Sequence, residues 1–446
     1  MLGGIEMKIK KVASVFFAAS LTLSGLAACS TGNDTKDSST EDGVTTIEFW
    51  AAPNPTQQVY WEQVAEEFTK ENPDIKVNVS PMKESPTSEA SIQSAIAGGS
   101  APTISENINR GFAAQLSESQ ALVPLDEIEG WDELLKARSM EETIKGWEFA
   151  DSHQYVLPIY SNAMLFGWRL DILKEIGYNE APKTYSEMLD VAKKLKEKYP
   201  DKYVWAKPDL ADPTAWKRWF DFFMLYNAAS DGNKFVEGSD FTGDKEAGLE
   251  VLSFVSELEK ADALMTRQVT DPFETGLGIF TDIGPWTIDY WADKFPEMKW
   301  NETYTLALPP VPDGADTEGV STFADTKGLV VYASATEEQQ EAAMKFMTYV
   351  YSNPENDLKW LETTNLPPAR DDLTTNETFT AFFENNPALQ PYAEAVPNAV
   401  PPMDNSKYND LQTFIGQHAF NPIVKGEKDP ETAWKDMQEA IEGALK

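Results

Sequence analysis

Few side chains in this sequence can make or break bonds. There is one cysteine, Cys29, and there are two histidines, His153 and His418. A lone thiol rules out an intrachain disulfide and a multi-thiolate metal site. Neither imidazole stands in a recognisable catalytic pattern, which disfavours a serine- or histidine-dependent enzyme. Carboxylates are abundant, with 73 Asp and Glu against 37 Lys and Arg, and the formal net charge of −36 repels nucleic acid and anionic membrane surfaces. The run Asp313-Gly314-Ala315-Asp316-Thr317-Glu318-Gly319 lacks the spacing of an EF-hand and reads as a solvated loop. No Gly-rich Lys-Ser/Thr phosphate loop is present. The sequence therefore points to no metal and no cofactor.

Flat aromatic surface beside planar polar groups is plentiful, with 13 Trp and 15 Tyr. A sugar presents C–H groups on its ring faces and hydroxyls at its rim, so a site for it combines those two kinds of side chain. Trp50 ends the first expected strand, where open α/β sheets collect ligand contacts. Asn107, Asn109 and Arg110 follow another strand, Tyr160 lies in an extended segment, and Asp282 and Trp286 flank Gly284-Pro285. Trp168, Trp205, Trp216 and Trp219 sit in aromatic-rich stretches that read mainly as core, with Trp219 retained as a ligand platform. Each polar candidate has a plainer role open to it, as a helix cap or a surface ion pair.

The elements that must position these residues alternate between strand and helix. Ile47-Glu48-Phe49-Trp50 alternates like a half-buried strand, and Trp61, Val64, Ala65 and Phe68 share one helix face before Asn72-Pro73 stops it. Ile75 to Val79 alternates again, which implies a parallel pair with a right-handed crossover. Capping boxes at Thr184/Glu187 and Thr336/Gln339 open two later helices, and Asp429-Pro430 opens the last. Strands are expected at Tyr304 to Leu308 and Gly328 to Tyr332. The chain reads as α/β with more than one domain.

Before all this lie Lys8, Lys10 and Lys11, an apolar run from Val12 to Leu23, and Leu26-Ala27-Ala28-Cys29. The run is too short for a permanent span and suits a secretory signal. The ending resembles the lipobox of bacterial lipoproteins, which implies cleavage before Cys29 and lipidation of its thiol. Residues 1–28 are then the signal peptide and 29–43, small and polar, a flexible tether. The chain would be lipid-anchored on the extracellular face, touching the membrane through that anchor only.

Read in order, further blocks resemble the extracellular solute-binding proteins of ATP-driven importers, in the sugar-binding family that includes maltose- and multiple-sugar-binding proteins. They are Asn72 to Val77, Ala97 to Pro102, Leu122 to Asp126, Arg169 to Gly177, Ala181 to Tyr185, Gly284-Pro285-Trp286 and Leu366-Pro367-Pro368-Ala369. The resemblance implies a two-lobed, type II periplasmic-binding-protein-like fold with ligand in the cleft, the first lobe holding 44–157 and 287–352 and the second 162–283 and 356–446. It also brings Arg370 toward the cleft, after the Pro367-Pro368-Ala369 loop. Thr103 and Arg169 depart from the family's usual Asp and Asn. A protein of this kind is a monomeric binder, not an enzyme, and passes a carbohydrate to the transmembrane subunits of an ABC permease. Polyamines, glycerol phosphates and uronates are alternative solutes, and a secreted glycoside hydrolase or a surface adhesin are rival readings.

Overall fold

The structure is a computed structural model that describes residues 40–41, 43–84, 87–213 and 215–446. The expected signal segment, Cys29 and most of the expected tether lie outside the described residues. Two mixed sheets carry the chain. The first runs Ile75–Pro81, Val44–Ala51, Ile104–Ile108, Thr322–Val331, Leu157–Ala163, with the short strands Thr40–Glu41 and Ala399–Val400 added. Thr40–Glu41 falls within the expected tether and instead pairs antiparallel with Val44–Ala51. The second sheet runs Leu264–Met265, Tyr203–Ala206, Gly278–Ile283, Leu165–Trp168, Thr305–Ala307.

Local signals account for many of the helix starts. Asn54 caps the helix Pro55–Glu71 by accepting from the Thr56 and Gln57 amides, with Pro55 at the first turn, where its missing N–H costs nothing. Both capping boxes form, at Thr184/Glu187 and Thr336/Gln339, and Asp429 caps Pro430–Leu445. The helix Pro55–Glu71 buries Trp61, Val64, Ala65 and Phe68 against the first sheet, where Phe49 and Trp61 rings lie 4.7 Å apart. The second sheet is covered on both faces. Phe166, Trp168 and Phe280 face one apolar cluster, while Leu165 and Ile283 face another.

The stretch 287–352, expected in one lobe, divides between the two sheets. Trp291, Tyr304 and Leu306 pack with Leu165 and Ile283 of the second sheet, whereas Leu329 to Tyr332 and the helix Glu337–Tyr351 pack with the first. The reason lies in Trp291, which stacks on Phe273 at 5.6 Å and donates its indole N–H to Glu274 Oε1 at 2.7 Å.

A buried ion cluster fastens the strand Leu157–Ala163 to its surroundings. Asp357 Oδ1 and Oδ2 accept from Arg138, and Oδ2 also accepts from Arg370 at 3.0 Å. Arg138 further donates to the carbonyls of Pro158 and Ile159 and lies over the Tyr351 ring. Arg370 forks onto Asp372. Arg138, Asp357 and Arg370 are at most 2 % exposed, so removing the shared carboxylate leaves Arg138 without an anionic partner among the described residues, in a medium that cannot solvate it, while Arg370 keeps Asp372 alone. Asp357→Asn is expected to lower unfolding free energy by about 3–5 kcal/mol in urea titration. Lys359→Ala, which breaks only a partly exposed pair with Glu67, should cost under about 1 kcal/mol.

Candidate functional site

Two elements from opposite cores meet where the helix Arg110–Glu118 begins. Asn109 caps that helix by accepting from the Phe112 amide at 2.9 Å, and its Nδ2 donates to the Tyr408 hydroxyl at 3.2 Å. Gly111 lets this happen: a Cβ there would stand 2.3 Å from the Tyr408 ring. Arg110, 4 % exposed, donates to the carbonyls of Glu148 and Pro402 and lies 3.6 Å from Asp404. Burial pulls its guanidinium below the ordinary value, against Asp404, which raises it. Arg110 and Asp404 both border a cavity of about 290 Å³ whose aromatic wall is Trp219, Phe223, Phe235 and Phe323. Trp219 stacks on Phe323 at 5.2 Å with planes 10° apart, and on Phe223 at 4.8 Å. Asn227, Asp231 and Asn233 add polar edges.

Two buried atoms at this cavity lack hydrogen-bond partners among the described residues, Arg110 Nε and Asp404 Oδ2. One is a donor and the other an acceptor, and their charges oppose. Such a site suits a neutral molecule with groups that both donate and accept, laid against an apolar face.

The structure brings Asn109, Arg110 and Trp219 together here and places the other candidates elsewhere. Arg370 does not reach the cavity, because its fork is taken by Asp357 and Asp372. Tyr160, 7 % exposed, stacks on Trp360 in the first core. Trp50 is half-buried against that same core, Asp282 pairs with Lys207, and Asn107 Oδ1 accepts from Lys327 at 2.7 Å. Trp286 opens a helix, is 45 % exposed, and lays its ring over Gly284. Trp168 and Trp205 are fully buried. Sequence reasoning missed Phe323, Asp404 and Tyr408. Alternation of Phe323, Asp325 and Lys327 with Ala324 and Thr326 carries the strand signal upstream of Gly328, but charged side chains hid it.

Residues 63–391 match the family model described as bacterial extracellular solute-binding protein. The chain belongs to this family. Maltodextrin-binding protein MdxE of Bacillus subtilis is 23 % identical to this solute-binding protein over 462 aligned positions, covering 99 % of each chain. A solved structure of an uncharacterized protein from Listeria monocytogenes is 59 % identical, with a TM-score of 0.89 over 90 % of this chain and all of that one. The cyclic alpha-maltosyl-1,6-maltose binding protein of Arthrobacter globiformis is 17 % identical, with a TM-score of 0.76 over 90 % of this chain and 99 % of its own. The fold is α/β, the two-lobed type II arrangement of periplasmic-binding proteins.

Beside the end of the first strand lies a carboxyl that titrates unusually. Glu106 is 1 % exposed, its Oε2 accepts from the Ala52 amide at 2.7 Å, and Oε1 has no partner among the described residues. Burial pushes it up to about 7, opposed by the Ala52 amide, Trp61 and Lys327. Between pH 4.5 and about 7 the folded protein keeps a proton that the unfolded chain has released. This contribution to stability is complete below pH 4.5 and is lost as pH rises through about 7. Compared with Glu106→Gln, the wild type is expected to lose about 3 kcal/mol over that window, read as the difference between two pH series of unfolding free energies.

Proposed function

We propose that this protein captures a neutral sugar between its two lobes and delivers it unaltered to the membrane subunits of an ATP-driven importer. One observation carries the reading: the stacked Trp219–Phe323 wall faces a cavity whose only buried ions, Arg110 and Asp404, cancel in charge and leave one donor and one acceptor open among the described residues. An aromatic face meets the C–H side of a pyranose, and a hydroxyl is both donor and acceptor. A phosphate or carboxylate ligand would want uncompensated positive charge, whereas Lys234 at this cavity is paired with Glu237 and Arg110 with Asp404. The names of relatives that bind maltodextrin and cyclic maltosyl-maltose agree with an oligosaccharide.

The same inventory supports binding rather than catalysis. A ligand touching Arg110 on one side and Trp219 on the other stabilises the closed form by its differential affinity for it. Half-exposed Trp286, at the carboxyl end of the Gly278–Ile283 strand, offers a further platform at the cleft rim. Cys29 carries the lipid that holds the protein at the extracellular face of the cell membrane.

Maltotriose at a large excess over its dissociation constant should raise the thermal midpoint, since a ligand at about 100 times Kd adds about 2.7 kcal/mol. Trp219→Ala is expected to weaken it by about tenfold or more in calorimetric titration; an unshifted midpoint in the wild type with every sugar of a mono- to oligosaccharide panel would sink the reading. In a bacterial host, Cys29→Ser should move the protein from the membrane fraction to the soluble one, and retention at the membrane would argue against the anchor.

A further inference from the structure

The cavity is bounded on one side by Ser321 and Phe323, at the start of the strand Thr322–Val331. Residues two apart on a strand share a face, so Asp325 and Lys327 continue that row past the cavity toward the end of the strand that packs in the first core. Cross-strand neighbours widen it. Asn162 is the register partner of Asp325, and Tyr160 that of Lys327. At its far end Lys327 Nζ donates to Asn107 Oδ1 at 2.7 Å, and Asn107 holds a left-handed backbone, φ 66°, that few side chains other than Asn tolerate.

This row is polar and incompletely satisfied. Asn162 is 1 % exposed, and its Oδ1 has no hydrogen-bond partner among the described residues. Lys327 makes no ion pair among the described residues. Burial raises the Asp325 carboxyl above its ordinary value, while Lys327 and the Asn162 amide pull it back. One anion and one cation again oppose each other, as Asp404 and Arg110 do. Asn162 Oδ1 can accept, Lys327 has N–H bonds left to donate, and both lie on one face. From Phe323 to Lys327 the strand advances about 13 Å at roughly 3.3 Å per residue, more than one sugar ring spans.

We propose that Asp325, Lys327 and Asn162 form a second subsite, which takes the hydroxyls of a further unit of a neutral saccharide whose first unit lies against Trp219 and Phe323. The subsite rests on the sugar reading and adds a length requirement to it: the site favours chains of two or more units over a single ring. A strut that only braces the crossing strands would need no such open valences.

Titration of glucose, maltose and maltotriose into the full chain tests it. Lys327→Met and Asp325→Asn are each expected to weaken maltotriose about tenfold, with glucose changed by less than about twofold and the thermal midpoint kept. Lys327→Arg, which keeps donors and charge, should retain most of the maltotriose affinity. Unchanged maltotriose affinity in both variants, or equal losses for glucose and maltotriose, would overturn the subsite and leave the sugar reading standing. If none of the three sugars binds the unaltered chain, the sugar reading fails and the subsite with it.

Discussion

The antiparallel pairing of Leu157–Ala163 with Thr322–Val331 is the constraint on which the rest of the molecule depends. Each strand begins or ends in a different core: Leu157 and Leu329 pack in the first, whereas Ala163 and Phe323 pack in clusters around the second sheet. The ladder runs from Ala324 opposite Ala163 to Leu329 opposite Leu157, with a shift at Lys327/Gly328. At that shift the backbones crowd, and a Cβ on Gly328 would come within 2.3 Å of the Leu157 carbonyl oxygen. Only glycine fits there. A narrow passage of this kind, to which the backbones of Pro367 and Ala369 add bonds at Ser161 and Ile159, holds the cores in register and suits a hinge.

One end of that passage is stiffened by satisfied polar groups, and the other carries polar groups that are only partly satisfied. Arg138 donates to the carbonyls of Pro158 and Ile159, and through Asp357 this strand end is tied to Arg370 and the loop after Pro368. Farther along the same ladder lie Asp325, Lys327 and Asn162, whose polar atoms are only partly used. A buried polar group that is satisfied fixes geometry, and one that is not stays available to a ligand. The contrast between Arg370 and Arg110 follows the same rule. Arg370 has two carboxylates in hydrogen-bond contact and is spent, whereas Arg110 has one at 3.6 Å and an idle Nε.

Much of this architecture is legible in the sequence because its signals are local. Capping boxes, the Asp429-Pro430 start and the face of Trp61, Val64 and Phe68 depend on residues within a turn or two of each other. The order of short family-like blocks points to a two-lobed fold without reference to any contact. The site is less legible, since its parts come from segments nearly 300 residues apart: Asn109 meets Tyr408, and Arg110 meets Asp404. Arg370 shows the limit from the other side. A guanidinium after a Pro-Pro-Ala loop invites a ligand role, and nothing local reveals that Asp357, thirteen residues earlier on the preceding helix, has already claimed it. Trp291 likewise carries no mark, in the sequence, of its stacking on Phe273.

What the lobes already share limits what a ligand can add. Asn109–Tyr408, Arg110–Pro402 and the packing of Tyr408 on Gly111 join the two cores through protein groups alone. A solute gains nothing from contacts that exist equally with and without it, so its hold on the closed form must come from groups these contacts leave open. In the proposed reading those groups are Arg110 Nε, Asp404 Oδ2 and the Trp219–Phe323 stack. Each open polar atom costs free energy while it is buried and unpaired. A hydroxyl that bridges them removes both penalties in one step, and an apolar ring of the same size removes neither. In that reading, selection for a hydroxylated solute lies in the unmet valences of the cavity more than in its shape.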